Sequence, residues 1–275
     1  MGRSSRIVRY SEKRMNELLV IKIGGQVIDD ATTLDHFLHQ VSKLTIPCIL
    51  VHGGGKLATR ISEQLGIDAK MIEGRRITDA ATLEVVTMVY GGLVNKQLVA
   101  SLQSLGKQAI GLTGADHDLI RSKKREHPTI DFGFVGDVTR VHTEGFDDLL
   151  KMGLLPVIAP LTHDGNGQLL NTNADTMAQS IAVAMSTRYT TSLVFGFEKA
   201  GVLHDLNNEN SMIPQIRKTE YEELRTNGHI HSGMIPKLDN AFHAISQGVS
   251  RVIIGKADAL TELLNEKSGT ILKHE

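Results

Sequence analysis

The sequence predicts an α/β fold, a three-layer αβα sandwich around a central, mainly parallel sheet. Apolar runs of strand length alternate with segments of helical periodicity along the chain. Glycine or proline punctuates most junctions between them. The strands are themselves continuous apolar runs, such as Ile49-Leu50-Val51, as a sheet covered on both faces requires. Such alternation implies right-handed βαβ units.

In order, strands are expected near Leu18–Ile23, Cys48–His52, Ala109–Thr113, Leu155–Ile158, Leu193–Phe197 and Arg251–Ile254. Helices are expected near Ala31–Lys43, Leu57–Leu65, Ala80–Leu105, Phe146–Met152, Ala174–Met185 and Pro236–Gln247. Between Ile120 and Val141 the rhythm changes, and Asp131–Val138 reads as a hairpin excursion on the sheet's edge.

The length of 275 residues allows one large domain or two modest lobes. A net charge of −1 argues against a general nucleic-acid binder, which needs a basic surface. No run approaches the roughly 18 apolar residues of a membrane span, so no membrane partner is expected. The lone Cys48, in an apolar strand, reads as core filler in a reducing compartment, hence a cytoplasmic protein. Residues 1–14 differ from the rest: Arg3, Arg6, Arg9, Lys13 and Arg14 stand against the single acid Glu12. They read as a disordered, dispensable basic extension, with residues 15–275 forming a single domain.

Lys22 lies inside Leu19-Val20-Ile21-Lys22-Ile23, directly before Gly24 and Gly25. An ammonium at the end of a buried strand is costly without an anionic partner. Two glycines after it let bare N–H groups approach that partner. The pattern recurs at Ile49–His52 followed by Gly53-Gly54-Gly55. One such turn on its own reads rather as a plain tight turn. Together with Gly111–Gly114 and the segment after Phe197, four fall at carboxyl ends of strands, where open α/β sheets bind ligands. A phosphate-handling site follows.

Familiar phosphate motifs are absent: Leu57 follows Lys56 where a P-loop needs a hydroxyl, and no G-x-G-x-x-G opens the first helix. A second lysine, Lys237, follows Pro236, which fits a first helical turn and places the ammonium at an anion-favouring helix start. In Asn171-Thr172-Asn173-Ala174-Asp175, alternation puts two amides on one face and Asp175 at a helix start. In Gly74-Arg75-Arg76-Ile77-Thr78 an arginine could hold a carboxylate in a bidentate fork.

Taken in order and spacing, Ile21–Gly25, His52–Gly55, Arg76–Thr78, Asn171–Asp175 and Gly233–Lys237 resemble the amino-acid kinase family. They are most similar to its branch that phosphorylates N-acetylglutamate in arginine biosynthesis, and the resemblance runs from Met15 to Leu272. It implies an ATP-dependent phosphotransferase with a carboxyl group as acceptor, using Mg²⁺ carried with the nucleotide and no protein-held metal. The substrate would be an N-acylated glutamate, acetyl or succinyl. A non-catalytic metabolite sensor on the same fold is the alternative from another class.

The resemblance assigns Lys22 and Lys237 to neutralising the transferring phosphoryl group and Asp175 to orienting them. The γ-carboxylate of the substrate is its own nucleophile, ionised at neutral pH, so no catalytic base is implied. Gly25, Gly54 and Gly55 would supply N–H groups to phosphate and acyl amino acid. Arg76 would grip the α-carboxylate, Asn171 would bind the backbone of the substrate, and Asn173 would support Asp175. An N-terminal lobe, about residues 15–190, would hold that substrate. A C-terminal lobe, about 191–275, would hold ATP near Gly24, Glu198, Lys199, Gly201, Val202, Leu203, Ile230, His231 and Gly233. The sequence departs from the family at Phe197-Glu198, where many members carry Ser/Thr-Asp. Residues 1–14 are too polar for the amphipathic helix that joins arginine-inhibited members into hexamers. A homodimer without arginine feedback is therefore expected, joined through Ala80–Leu105, whose Val85, Val86, Met88 and Val89 exceed one narrow core stripe.

Overall fold

The computed structural model describes residues 16–274, except 69, 73–74, 206–207, 209–210, 228–229 and 231–233. The basic extension, His231 and Gly233 thus lie outside the described residues. The first half carries β1 (Glu17–Ile23), β2 (Cys48–His52), the short β3 (Met71–Ile72) and β4 (Arg75–Arg76), β5 (Ala109–Leu112), β6 (Ile120–Lys124) and β7 (Gly136–Val141). The second half carries β8 (Leu155–Ile158), β9 (Leu161–His163), β10 (Leu169–Asn171), β11 (Thr190–Phe197), β12 (Gln215–Arg217), β13 (Arg251–Lys256) and β14 (Thr270–Lys273). The helices are α1 (Gly25–Asp29), α2 (Ala31–Ser42), α3 (Gly55–Gln64), α4 (Ala80–Ser104), α5 (Thr143–Lys151), α6 (Ala174–Met185), α7 (Lys218–Thr226), α8 (Ile235–Ser246) and α9 (Leu260–Leu264).

The main sheet runs β12-β14-β13-β11-β1-β2-β8-β5. Its pairings are parallel except β13 with β14. β1 lies at its centre, with Lys22 opposite Phe195 of β11 and Val51 of β2. Successive side chains of a strand point to opposite faces. Leu18 and Val20 accordingly join one core with α5, α6, α7 and α8. Leu19, Ile21 and Ile23 join the other with α1, α2, α3, α4 and α9. This division is the three-layer sandwich that the apolar strands predict.

The edge excursion is differently built from the expectation. β7 starts only at Gly136 and pairs antiparallel with β6, in a separate four-stranded sheet β10-β9-β6-β7. Asp131–Val135 is the lead-in to that strand, tied down where Thr78 N–H donates to Phe132 O and Phe134 N–H to Thr78 O.

Among the described residues α4 is long and apolar enough to cross a membrane by length and composition. It is not a continuous apolar run, since Glu84, Asn95, Lys96 and Gln97 interrupt it. Its apolar face packs inside this protein: Val85, Val86, Val89, Val94, Leu98 and Leu102 are all buried in the core. Three of the four residues singled out for a dimer surface are therefore core, and Met88 with Leu93 forms the exposed apolar remainder. Within α4 the stretch Thr87–Val94 is π-helical, a rare geometry that recurs at functional sites.

Candidate active site

The carboxyl ends of β1, β2 and β11 converge, as the glycine turns imply. Lys22, 7% exposed, is the penultimate residue of β1. Its ammonium stands 2.6 Å from Asp175 Oδ1 in the first turn of α6. The same nitrogen lies 3.7 Å from where a Cβ on Gly24 would sit. Lys22 Nζ is 5.3 Å from the centre of the Phe197 ring at the end of β11. Lys237 Nζ, from the first turn of α8, is 4.1 Å from the same centre. Both lysines thus lie against one aromatic ring.

The turn after β2 leads directly into α3, whose N-cap Gly54 makes no side-chain cap. The first N–H groups of a helix have no intrahelical acceptor. Here they crowd against Gly25: a Cβ there would lie 3.7 Å from Gly55 N and 3.9 Å from the nitrogens of Gly54 and Lys56. Gly54 itself has φ +152°, and a Cβ on it would meet Tyr90 of α4 at 3.1 Å. Glycine is required on both counts.

Beside this turn lies a cavity of about 190 Å³, lined by Gly54, Gly55, Arg76, Asn171 and Asn173 together with Tyr90 and Arg125. Arg76 is buried, and its Nη2 donates to Gly55 O at 2.9 Å and Thr59 Oγ1 at 2.7 Å. Its Nη1 is buried without an acceptor among the described residues. The guanidinium borders the cavity beside the Tyr90 hydroxyl, and a ligand carboxylate that reached it would satisfy this covered nitrogen. Asn171 Nδ2 donates to Thr78 Oγ1 at 2.9 Å. Asn173 caps α6, its Oδ1 accepting from Thr176 N at 3.0 Å, so it holds the helix start that carries Asp175.

On the other side of the lysines, Glu198, Lys199, Gly201, Val202 and Leu203 line a second cavity of about 120 Å³ together with Phe197 and Lys237. Ile230 does not line it; at 4% exposed it belongs to the apolar core. The Gln26 amide nitrogen, oriented as its surroundings demand, reaches both Glu198 oxygens at 2.6 and 2.7 Å. α1 is thereby tied to the end of β11. A larger cavity of about 940 Å³ lies at the amino ends of β1, β11 and β13, by Glu17, Thr190 and Arg251, and contains none of the expected site residues. Among the described residues no group of three or more His, Cys, Asp or Glu could hold a metal ion.

Sequence reasoning missed Tyr90 and Gln26 as neighbours of this site, whereas the charge-rich run Arg121–Glu126 points to the acyl pocket and Arg125 does line it. Arg125 belongs to the charged run Arg121–Glu126. Its Nε donates to Asp137 Oδ1 and Oδ2 at 3.1 and 3.2 Å, and its guanidinium stacks over Phe132 at 5.7 Å.

The amino acid kinase family model matches residues 17–256, almost the whole described chain. The chain belongs to the amino-acid kinase family. Curated members of that family include an acetylglutamate kinase of Cytophaga hutchinsonii, 55% identical over 92% of this chain and 96% of its own length. An acetylglutamate kinase of Bacteroides fragilis is 53% identical over 90% of this chain and 95% of its own length. Among solved structures, smu.665 of Streptococcus mutans UA159 matches with a TM-score of 0.77 at 27% identity, covering 94% of this chain and 99% of that one. Carbamate kinase from Giardia lamblia shares the amino-acid kinase fold at a TM-score of 0.69 and 13% identity, covering 95% and 100%.

Proposed function

We propose that this chain transfers the γ-phosphoryl group of ATP to the γ-carboxylate of N-acetyl-L-glutamate, giving an acyl phosphate and ADP. This is the second step of arginine biosynthesis. One observation carries the reading: Lys22 and Lys237 stand against a single ring between two cavities, one walled by a buried arginine and a glycine turn, the other by Glu198–Leu203. The relatives named acetylglutamate kinase support the choice of acceptor.

The acyl amino acid occupies the first cavity, with its α-carboxylate at the Arg76 guanidinium and its acyl-amide backbone against Asn171. Its γ-carboxylate points at Gly25 and Gly54-Gly55. ATP takes the second cavity, whose 120 Å³ lies well below the roughly 300 Å³ at which ligand pockets begin. Loading therefore moves Phe197 or its neighbours. A carboxylate oxygen attacks Pγ, the new O–Pγ bond forms as the bond to the β-phosphate oxygen breaks, and ADP leaves with that electron pair. Lys22, Lys237 and the uncapped start of α3 stabilise charge on the equatorial oxygens. Mg²⁺ comes with the ATP phosphates, held by phosphate oxygens and water.

A cytoplasmic location accords with the one cysteine, Cys48, whose burial pushes its thiol up to about 11. A homodimer through the exposed Met88 and Leu93 of α4 completes the reading. The test is ADP release with Mg-ATP on N-acetylglutamate, N-succinylglutamate and free glutamate in parallel. Release with the acetyl substrate, and much less with the other two, supports the assignment. Silence on all three, with ligand still bound, would turn it into a sensor.

A further inference from the structure

His52 ends β2 and immediately precedes the glycine turn, yet none of the roles above uses it. Its imidazole is fully buried, and burial pushes its pKa down to about 4, with Lys96 adding to the effect and the Gly53 hydrogen bond opposing it. A neutral ring carries one N–H. Nδ1 lies 2.8 Å from Gly53 O, a carbonyl that can only accept, so Nδ1 holds the proton. Nε2 is then an acceptor, and Asn95 Nδ2 approaches it at 3.1 Å while also donating to Val157 O at 2.9 Å. Asn95 Oδ1 accepts from Lys96 Nζ at 3.1 Å, which fixes the amide's orientation, and Lys96 Nζ also donates to Gly111 O at 2.7 Å. A Cβ on Gly111 would sit 2.0 Å from Asn95 Oδ1, so that glycine makes room for the relay.

The relay ends on one residue, whose two flanking peptide groups are both held. Gly53 N–H is tied to Ile23 O of β1 at 3.0 Å, and Gly53 C=O is tied to His52. A trans peptide is planar, with its C=O and the next N–H pointing in opposite directions. Pinning the Gly53 carbonyl therefore aims the Gly54 N–H the other way, toward the space where the nitrogens of Gly54, Gly55 and Lys56 crowd Gly25.

We infer that His52 is a positioning residue, which through Gly53 O sets the Gly53–Gly54 peptide plane and so directs the Gly54 N–H onto the transferring phosphoryl group. This rests on the proposed phosphoryl transfer. Misaiming a donor of this kind costs on the order of 10²-fold in kcat. Three variants separate positioning from packing. His52→Asn keeps an amide N–H where Nδ1 stood, His52→Gln moves it one methylene outward, and His52→Leu removes it. The expected order of kcat is wild type, then Asn, with Gln and Leu about 10²-fold below wild type and KM for both substrates within about 3-fold. If the Leu variant does not fold, the Asn–Gln contrast decides alone. Equal kcat for Asn and Gln, or a loss confined to KM, overturns the inference. A wild type silent on N-acetylglutamate would defeat the proposed function separately. The Gly53–Gly54 plane in a crystal structure of His52→Gln then decides this inference: a turned plane supports it, an unchanged plane overturns it.

Discussion

The ammonium of Lys22 and the carboxylate of Asp175 meet at 2.6 Å, joining the end of β1 to the first turn of α6. The contact is a close ion pair without hydrogen-bond alignment, for Asp175 Oδ1 accepts no well-directed hydrogen bond among the described residues. Its two ends are unequally buried: the Lys22 side chain is 9% exposed and that of Asp175 32%. The consequences of removing either partner differ accordingly.

Lys22→Met leaves a carboxylate that can hydrate, so folding changes little while the phosphoryl group loses a cation. The expected result is a kcat lowered by about 10³-fold with Tm within a few degrees of wild type, read by steady-state kinetics and thermal unfolding. Near-normal turnover would remove Lys22 from the chemistry.

Asp175→Asn does the reverse, stranding a buried ammonium. Breaking one side of a buried pair costs up to about 3–5 kcal/mol, here reduced by the exposure of Asp175. A lower urea midpoint is expected together with a kcat loss larger than any rise in KM. A pure KM effect would contradict an orienting role.

Phe197 holds both lysines on its ring, and a partly exposed cation–π contact is worth about 1 kcal/mol. Phe197→Leu should lower kcat by about 10-fold while KM for the acyl amino acid stays put, because the ring lines only the nucleotide cavity. An unchanged kcat would mean the lysines find their positions without it.

Gly54→Ala places a Cβ at φ +152° and 3.1 Å from Tyr90. Backbone strain of this kind costs about 1–3 kcal/mol. Adding Tyr90→Ala opens the space but leaves the dihedral, so the double variant should recover little activity. Full recovery would show that sterics alone demand glycine.

Acid stability follows from Asp147, whose carboxyl is held below its usual range by Lys151 and the Tyr189 hydroxyl, with Arg188 adding attraction against the cost of burial. A depressed pKa gives stability that is fully present above the unfolded value of 3.8 and is lost as pH falls through the folded value. Asp147→Asn should therefore lower Tm by a few degrees at pH 7, and the gap to wild type should narrow as pH falls below 3.8. A gap independent of pH would assign the loss to packing.

The strands and the lysine–glycine turns were legible because burial on two faces leaves continuous apolar runs, in which Lys22 stands out. The long helix was legible as α4 but not its π-helical stretch, which no residue pattern announces. Short strands such as β9 and β10 were missed because three residues carry no period. The relay from Lys96 and Asn95 to His52 was invisible because Asn95 and His52 lie 43 residues apart and meet only when α4 packs on the sheet. Ile230 shows the converse: its nearness in sequence to the expected nucleotide segment says nothing of a side chain that points into the core.

The most direct test of the central claim is to trap the product. Incubating wild type and Lys22→Met with Mg-ATP, N-acetylglutamate and hydroxylamine should yield the γ-hydroxamate from wild type and almost none from the variant. ADP release from wild type without hydroxamate would mean that the carboxylate is not the acceptor and would contradict the account.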